Sequence, residues 1–173
     1  MLTPFMAPRR NAGFTLIEAM IVVLIMAILA GLAAPSFRQM ITNYRVRTTA
    51  DAIMNGLQLA RAEAIRLNTG VTFTLAASGG WTVAVPLPAQ TLQTRPAGES
   101  GGTMQIASTN DQLSLTFTST GRVLNFSPAT NLSRVTVTAA GSGIDTLQID
   151  VFAGGQSRMC NPAITAANDP RKC

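Results

Sequence analysis

One carboxylate stands inside a long apolar run. Glu18 is the only charged residue between Phe14 and Phe37, and an unpaired acid costs roughly 2.5–3.5 kcal/mol at the centre of a membrane. Such a residue is expected to have a partner or to lie near the membrane surface. If the chain is cut after Gly13, a new α-amino group appears four residues before Glu18. A neighbouring copy can bring its own amine to this acid, so Glu18 is a candidate for pairing between subunits.

Histidine is absent from the sequence, which excludes a Ser-His-Asp triad, a Cys-His pair and an imidazole metal site. The sequence also has no P-loop, no metal-ligand cluster and no paired carboxylates at a recognised spacing. We therefore expect no enzyme activity, no metal and no cofactor. The net charge is +5, but residues 71–173 carry six basic groups against five acidic ones. Any nucleic-acid binding is therefore expected to be local.

Both cysteines, Cys160 and Cys173, lie near the C-terminus. This usage favours a single disulfide in an oxidising compartment, and two free thiols in a cytosolic protein are the alternative. Closing a loop of this length would stabilise the fold by roughly 3 kcal/mol in the chain-entropy model. An export signal at the N-terminus would favour the disulfide.

The apolar run over residues 14–37 is long enough to cross a membrane, because a helix rises about 1.5 Å per residue and the hydrocarbon core is about 30 Å thick. Arg9 and Arg10 precede it, which favours a cytoplasmic leader and an exported remainder. One alternative is a secretory signal peptide cut before Ala34, although the run exceeds the usual apolar core of about 7–15 residues. A buried core helix is the other alternative, but no other segment is apolar enough to enclose it.

A helical pattern continues beyond the run. Gly31 and Pro35 weaken the helix and predict a kink or local melting there. Through residues 38–69 apolar residues then recur at steps of three and four, which predicts a helix packed along one side, and Asn68–Gly70 supply its end. Four arginines lie mostly off this stripe and are expected to face solvent or neighbouring subunits: Arg45, Arg47, Arg61 and Arg66. The stripe consists of Val46, Ala50, Ile53, Leu57, Ala60, Ala64 and Leu67.

After Gly70 the apolar period changes to two, which predicts an antiparallel sheet of short strands and an α+β fold. Ser78–Gly80 is a candidate hairpin turn. Residues 86–103 are rich in proline and glycine and predict an exposed loop. The last predicted strand is followed by a tail over residues 154–173. The predicted strands are Val71–Leu75, Trp81–Val85, Leu113–Phe117, Val135–Val137 and Leu147–Val151.

The segment GFTLIE at residues 13–18, which follows an arginine-containing leader and precedes the apolar run, resembles the class III signal of type IV pilins and pseudopilins. The resemblance implies that prepilin peptidase removes residues 1–13, that Phe14 is N-methylated, and that Glu18 pairs with the N-terminus of an adjacent subunit. LQLARAEAIR at residues 57–66 and FTSTGR at residues 117–122 resemble the GspH/FimT family of minor pilins. The implied fold is the pilin fold, in which a long N-terminal helix packs on an antiparallel β-sheet domain.

The resemblance implies a division into a leader, two halves of one helix, a β-domain and a tail. It also implies a minor pilin of a type IV pilus, placed in the tip or initiation complex. The implied partners are other minor pilins, the major pilin, prepilin peptidase and the inner-membrane assembly platform. A single inner-membrane span would leave the C-terminal domain in the periplasm before the protein enters the pilus. The H-type pseudopilin of a type II secretion system is the alternative. The implied boundaries are 1–13, 14–37, 38–69, 70–153 and 154–173.

The tail GGQSRMCNP, beginning at Gly154, resembles that of FimT-type minor pilins, in which a Gly-Arg-x-Arg pattern before a cysteine is linked to DNA binding. Gly155 and Arg158 match this pattern, but Gln156 replaces the first arginine and brings no charge, which should weaken phosphate binding. The implied partner is double-stranded DNA during natural transformation, with Arg171 and Lys172 as further cations. The alternative is a disulfide-pinned tail with solvated cations. In the FTSTGR segment, Gly121 and Arg122 are interpreted as a turn glycine and a surface arginine.

Overall fold

The structure, a computed structural model, describes residues 13–76, 79–99 and 104–173. The predicted leader with its two arginines, Ser78 of the predicted turn and part of the predicted loop lie outside these residues. The chain divides into two compact units, Met1–Arg38 and Gln39–Cys173. All of the described buried residues belong to the second unit, which therefore contains its own hydrophobic core.

One helix, α1, extends over Leu16–Leu67. Within the described residues it is the one helix that is long and apolar enough to cross a membrane. It is continuous through Gly31 and Pro35, so the local melting that the sequence allowed there is not present. The kink at these two residues stays a prediction. The Ser36 hydroxyl donates a hydrogen bond to the Ala33 carbonyl oxygen, next to the proline.

The second half of α1 packs on the β-domain through the predicted stripe. Six of its seven residues are buried, whereas Leu67 is 36% exposed and that part of the prediction is wrong. Leu67 is the last helical residue, and the chain turns away at Asn68, which adopts a left-handed conformation with φ 50°. The N–H of Thr69 still bonds the carbonyl oxygen of Ala64, so a left-handed residue ends the helix in the usual way.

The β-domain contains two antiparallel four-stranded sheets. The first has the strand order β3-β2-β1-β5 and the second has the order β4-β6-β7-β8. β1 and β2 form the predicted hairpin, with Leu75 opposite Trp81 and an Ala76 N–H to Gly80 carbonyl bond of 2.8 Å at its end. The strands are β1 Val71–Leu75, β2 Trp81–Val85, β3 Gln90–Arg95, β4 Met104–Ser108, β5 Ser114–Phe117, β6 Arg134–Ala139, β7 Leu147–Val151 and β8 Ser157–Cys160.

Three of these strands were not predicted. β3 lies inside the segment interpreted as a loop, β4 follows it, and β8 lies in the tail, after the strand predicted to be the last. All three are edge strands or short polar strands whose side chains are mostly exposed or half-buried. β3 has one apolar residue, Leu92, and β4 and β8 are only five and four residues long, so the period-2 signal is weak in each of them.

The C-terminal tail is attached to the second sheet at two levels. β8 pairs with β7, placing Arg158 opposite Asp150. Cys160 at the end of β8 is bonded to Cys173, which confirms the predicted disulfide. The segment between them returns alongside the strand, since the Asn161 N–H bonds the Arg171 carbonyl oxygen at 2.7 Å.

Candidate functional site

The predicted processing and pairing residues lie at the start of α1. Gly13 and Phe14 precede the helix, and Phe14 is 84% exposed. Thr15 caps the helix, because its hydroxyl accepts a hydrogen bond of 3.3 Å from the Glu18 backbone N–H. Glu18 lies in the first turn, where the helix dipole favours a negative charge.

Glu18 has no partner among the residues that the structure describes. Its carboxylate makes no hydrogen bond or ion pair with any residue that the structure describes, and its side chain is exposed. No side chain from Phe14 to Met40 is buried. The apolar surface of this segment therefore makes no contribution to the core and is free for a membrane or for other subunits.

Two of the cations proposed for DNA binding, Arg158 and Lys172, are tied to backbone carbonyls of the tail. One terminal nitrogen of Arg158 donates to the carbonyl oxygens of Pro170 and Lys172. The Lys172 ammonium donates to the carbonyl oxygen of Thr165 at 3.3 Å. Carbonyl partners hold these side chains without neutralising them, so both retain their charge.

The third cation of the tail, Arg171, is paired with Asp169. Its guanidinium donates two hydrogen bonds to the carboxylate, of 2.8 and 3.1 Å. The side-chain hydrogen bonds from Arg171, followed by one from its backbone N–H, lower the pKa of Asp169 to about 2. This pair contributes little net charge at neutral pH. Among the described residues no three acidic or cysteine side chains gather as metal ligands would.

Gly155 and Gln156 form the turn between β7 and β8. The Gly155 N–H bonds the Phe152 carbonyl oxygen at 2.8 Å, and the Phe152 N–H bonds the Gln156 carbonyl oxygen at 3.0 Å. Gly155 is buried, with φ +79°, and a Cβ added there would lie 1.9 Å from the Gly121 carbonyl oxygen. Its role in this structure is a close backbone approach that no other residue type allows. Gln156 is exposed.

Gly121 lies at a second turn, which meets the first. Its N–H bonds the Thr118 carbonyl oxygen at 2.8 Å with φ +75°, and Arg122 beside it is exposed, so the interpretation as turn glycine and surface arginine is confirmed. The Gly121 carbonyl oxygen also accepts a hydrogen bond of 3.0 Å from Nε of Arg61 on α1. We call Arg61, Gly121 and Gly155 the junction, because they join the helix to the two turns.

The role of Arg61 was missed in the sequence. Its position off the apolar stripe predicts a solvated side chain, but it is half-buried and bonded to the backbone of a residue 60 positions away. Helical periodicity records only apolar faces, so a polar side chain with a backbone partner leaves no periodic signal. The available signal was the resemblance itself, since residues 57–66, 117–122 and the tail from Gly154 each supply one member of the junction.

Two family models match the sequence. The model described as type II transport protein GspH matches residues 49–155, which is more than half of the chain. The chain belongs to the GspH family. The model for the prokaryotic N-terminal methylation motif matches residues 8–34. Together the two matches confirm the predicted family and describe a pilin-like subunit, a minor pilin or pseudopilin.

Solved structures share the fold. Two crystal structures of the type IV minor pilin FimU from Pseudomonas aeruginosa strain PAO1 are 15% and 14% identical to this chain, with TM-scores of 0.52 and 0.55. Each covers 70% of this chain, and the matched regions include 97% and 92% of the FimU chains. This likeness confirms the pilin fold and the α+β class. No curated protein matches the sequence.

Proposed function

We propose that this member of the GspH family is a minor pilin that assembles through α1 into a type IV pilus, in its tip or initiation complex. The observation that carries the proposal is the unburied apolar half of α1 with Glu18 as its one charge between Phe14 and Phe37. A helix of this kind cannot be stable in water alone, because its exposed apolar surface needs lipid or protein around it. In a pilus, neighbouring α1 helices would replace the lipid.

The proposed sequence of events begins in the inner membrane. Prepilin peptidase cuts between Gly13 and Phe14 on the cytoplasmic side, and the new amine of Phe14 is methylated. The span then holds the subunit with its second unit in the periplasm. When the assembly platform adds the subunit to other pilins, the Glu18 carboxylate receives the N-terminal amine of a neighbour. The pairing removes the cost of an isolated charge in an apolar medium. It therefore favours the one position of the incoming subunit along its neighbour at which the amine and Glu18 meet.

The test of this pairing is the change Glu18→Gln, which keeps the shape of the side chain and removes its charge. We expect at least about tenfold less protein in sheared pili, because the amine then lacks its counter-charge in an apolar environment. Glu63→Gln on the same helix is the matched control, since Glu63 is ion-paired with Arg66 within the subunit.

Immunoblots of sheared pili and of membranes measure both variants, and mass spectrometry of the membrane form measures the N-terminus. The expected mature protein starts at Phe14. Equal incorporation of Glu18→Gln and the parent would overturn the pairing, and a mature N-terminus at Ala34 would overturn the processing.

The H-type pseudopilin of a type II secretion system is the alternative assembly. The tail pinned by Cys160–Cys173 supports the pilus, in line with the resemblance to FimT-type tails. A strain without this chain distinguishes the two. Loss of surface pili with normal protein secretion supports the pilus, whereas loss of secretion with normal pili supports the pseudopilus.

Duplex DNA is a second candidate ligand, and the exposed position of Arg158 favours it. Arg158 and Lys172 keep their charges beside carbonyl partners, while Asp169 offsets Arg171. Two uncompensated cations support weak, salt-sensitive contact with phosphates. The proposed DNA role is therefore secondary to assembly.

A further inference from the structure

A pocket of about 550 Å³ opens beside the junction. One wall belongs to α1 and the other to the turn between β7 and β8, so it lies wholly within the second unit. Of the described residues that line it, Arg61 alone is charged. Any ligand that fits the pocket therefore meets one cation and no acid. The lining residues are Gln58, Arg61, Ala62, Ile65, Gly155, Gln156 and Ser157.

One nitrogen of the Arg61 guanidinium makes a hydrogen bond within the protein, and the other two remain available as donors. Its Nε donates to Gly121, and the same atom lies 3.2 Å from the Cβ position of Gly155. Its two terminal nitrogens have no partner among the described residues, and neither is a buried atom without a hydrogen bond. They are therefore accessible donors on a guanidinium that its Nε bond anchors, which reduces the entropy lost on binding.

We propose that this pocket binds a carboxylate side chain of a neighbouring pilin subunit, which rests on the assembly role proposed above. A planar guanidinium with two free donors matches a carboxylate in both geometry and charge. Gln156 and Ser157 add an amide and a hydroxyl, both able to donate hydrogen bonds. Ile65, 51% exposed at the pocket, gives the aliphatic part of an aspartate or glutamate an apolar surface.

The pocket fits a protein carboxylate better than it fits DNA. A duplex presents a row of phosphates and is bound by several cations along its length, whereas the lining holds a single one. Arg66, further along the helix, does not line the pocket and is engaged by Glu63 at 2.6 Å. A lone acidic side chain is satisfied by one arginine and two neutral donors.

Chemical-shift mapping of the complete chain in detergent micelles tests the proposal. The probe is acetyl-Leu-Glu-Leu-amide, and acetyl-Leu-Gln-Leu-amide at the same ionic strength is its neutral counterpart. We expect the glutamate peptide to shift the Arg61 Nε–H and the amides of Gly155, Gln156 and Ser157, and the glutamine peptide to leave them in place. Arg61→Gln is expected to weaken binding by about tenfold or more.

Two further variants keep the test decisive if Arg61→Gln fails to fold. Ser157→Ala leaves the junction bond intact and is expected to weaken binding by about threefold, whereas Arg122→Gln removes an exposed arginine that does not line the pocket and should leave binding unchanged. Equal shifts with the two peptides, or unchanged binding in both pocket variants, would overturn the proposal. So would displacement of the peptide by a short DNA duplex from these same residues, which would assign the pocket to phosphate. None of these results depends on pilus assembly, so they leave the Glu18 test unaffected.

Discussion

At the scale of single residues, the junction shows how a glycine in a motif can be required by the backbone alone. Gly155 matches the tail pattern that the resemblance links to DNA, but in the fold it allows two turns to touch. Arg61 then bonds the carbonyl of the second turn. The matched glycine therefore marks a structural contact, which substitution can separate from the proposed DNA binding.

Gly155→Ala is expected to destabilise the second unit by more than about 3 kcal/mol. The added Cβ would lie 1.9 Å from the Gly121 carbonyl oxygen, so the two turns would have to separate, and the residue would also occupy a left-handed conformation at a cost of about 1–2 kcal/mol. Urea unfolding of residues 39–173, followed by circular dichroism, measures the change.

Gly98→Ala is the matched control for this change. Gly98 also has a positive φ, of 85°, but a Cβ there would meet nothing within 4 Å. It should therefore cost only the conformational term of about 1–2 kcal/mol. Equal losses in the two variants would show that backbone conformation, and not the contact between the turns, decides the stability of the tail.

At the scale of elements, what the sequence could predict depends on whether an element has a buried face. The stripe from Val46 to Ala64 and the strand Val71–Leu75 are buried on one side. Their apolar residues therefore recur with the helical and the strand period, and both elements could be predicted. β3 is polar and mostly exposed, so nothing in its residues separates it from a loop. The disulfide of the tail could be predicted because the sequence has only two cysteines. Its strand β8 could not, because that strand depends on pairing with β7, which is a tertiary effect.

The helix and first sheet meet closely at Gly56. A Cβ there would lie 2.7 Å from the Trp81 ring and 2.8 Å from the Phe73 ring, and these rings stack at a tilt with centroids 6.1 Å apart. Gly56→Ala is expected to destabilise the unit by about 1–2 kcal/mol, because overpacking costs about 1–3 kcal/mol and the better helix propensity of alanine returns up to about 1. Thermal unfolding followed by circular dichroism measures it.

A second substitution tests the cause of that loss. In a Trp81→Val background the ring atoms nearest to the added Cβ are gone, so Gly56→Ala should cost less there than in the parent, with a coupling of about 1 kcal/mol. The same cost in both backgrounds would place the clash elsewhere in the contact between the helix and the sheet.

At the scale of the whole molecule, the two units differ in burial and in charge. The described residues of the first unit form an exposed apolar helix with no buried side chain, whereas the second unit has a core and all of the described cations except Arg38. The sequence predicts that the apolar run is not a core helix, because no other segment is apolar enough to enclose it. It did not predict where charge is compensated, because pairs such as Arg134–Asp150 and Arg171–Asp169 arise from pairing and turn geometry. Any ligand binding by the tail therefore depends on the few charges that have no opposite charge beside them.

Residues 39–173 are expected to bind duplex DNA weakly, with an affinity that falls as salt rises. Arg158 and Lys172 keep their charge and Arg171 is offset by Asp169, so about two phosphates are neutralised and the slope of log affinity against log salt should be about −2. Arg158→Glu should weaken binding and flatten that slope by about one.

Arg45→Glu makes the same charge change on an exposed helical residue outside the tail and should have a smaller effect. Fluorescence anisotropy of a labelled duplex over a range of salt measures all three proteins. If Arg158→Glu binds as well as the parent, or if it loses the same affinity as Arg45→Glu, the tail is not the DNA site.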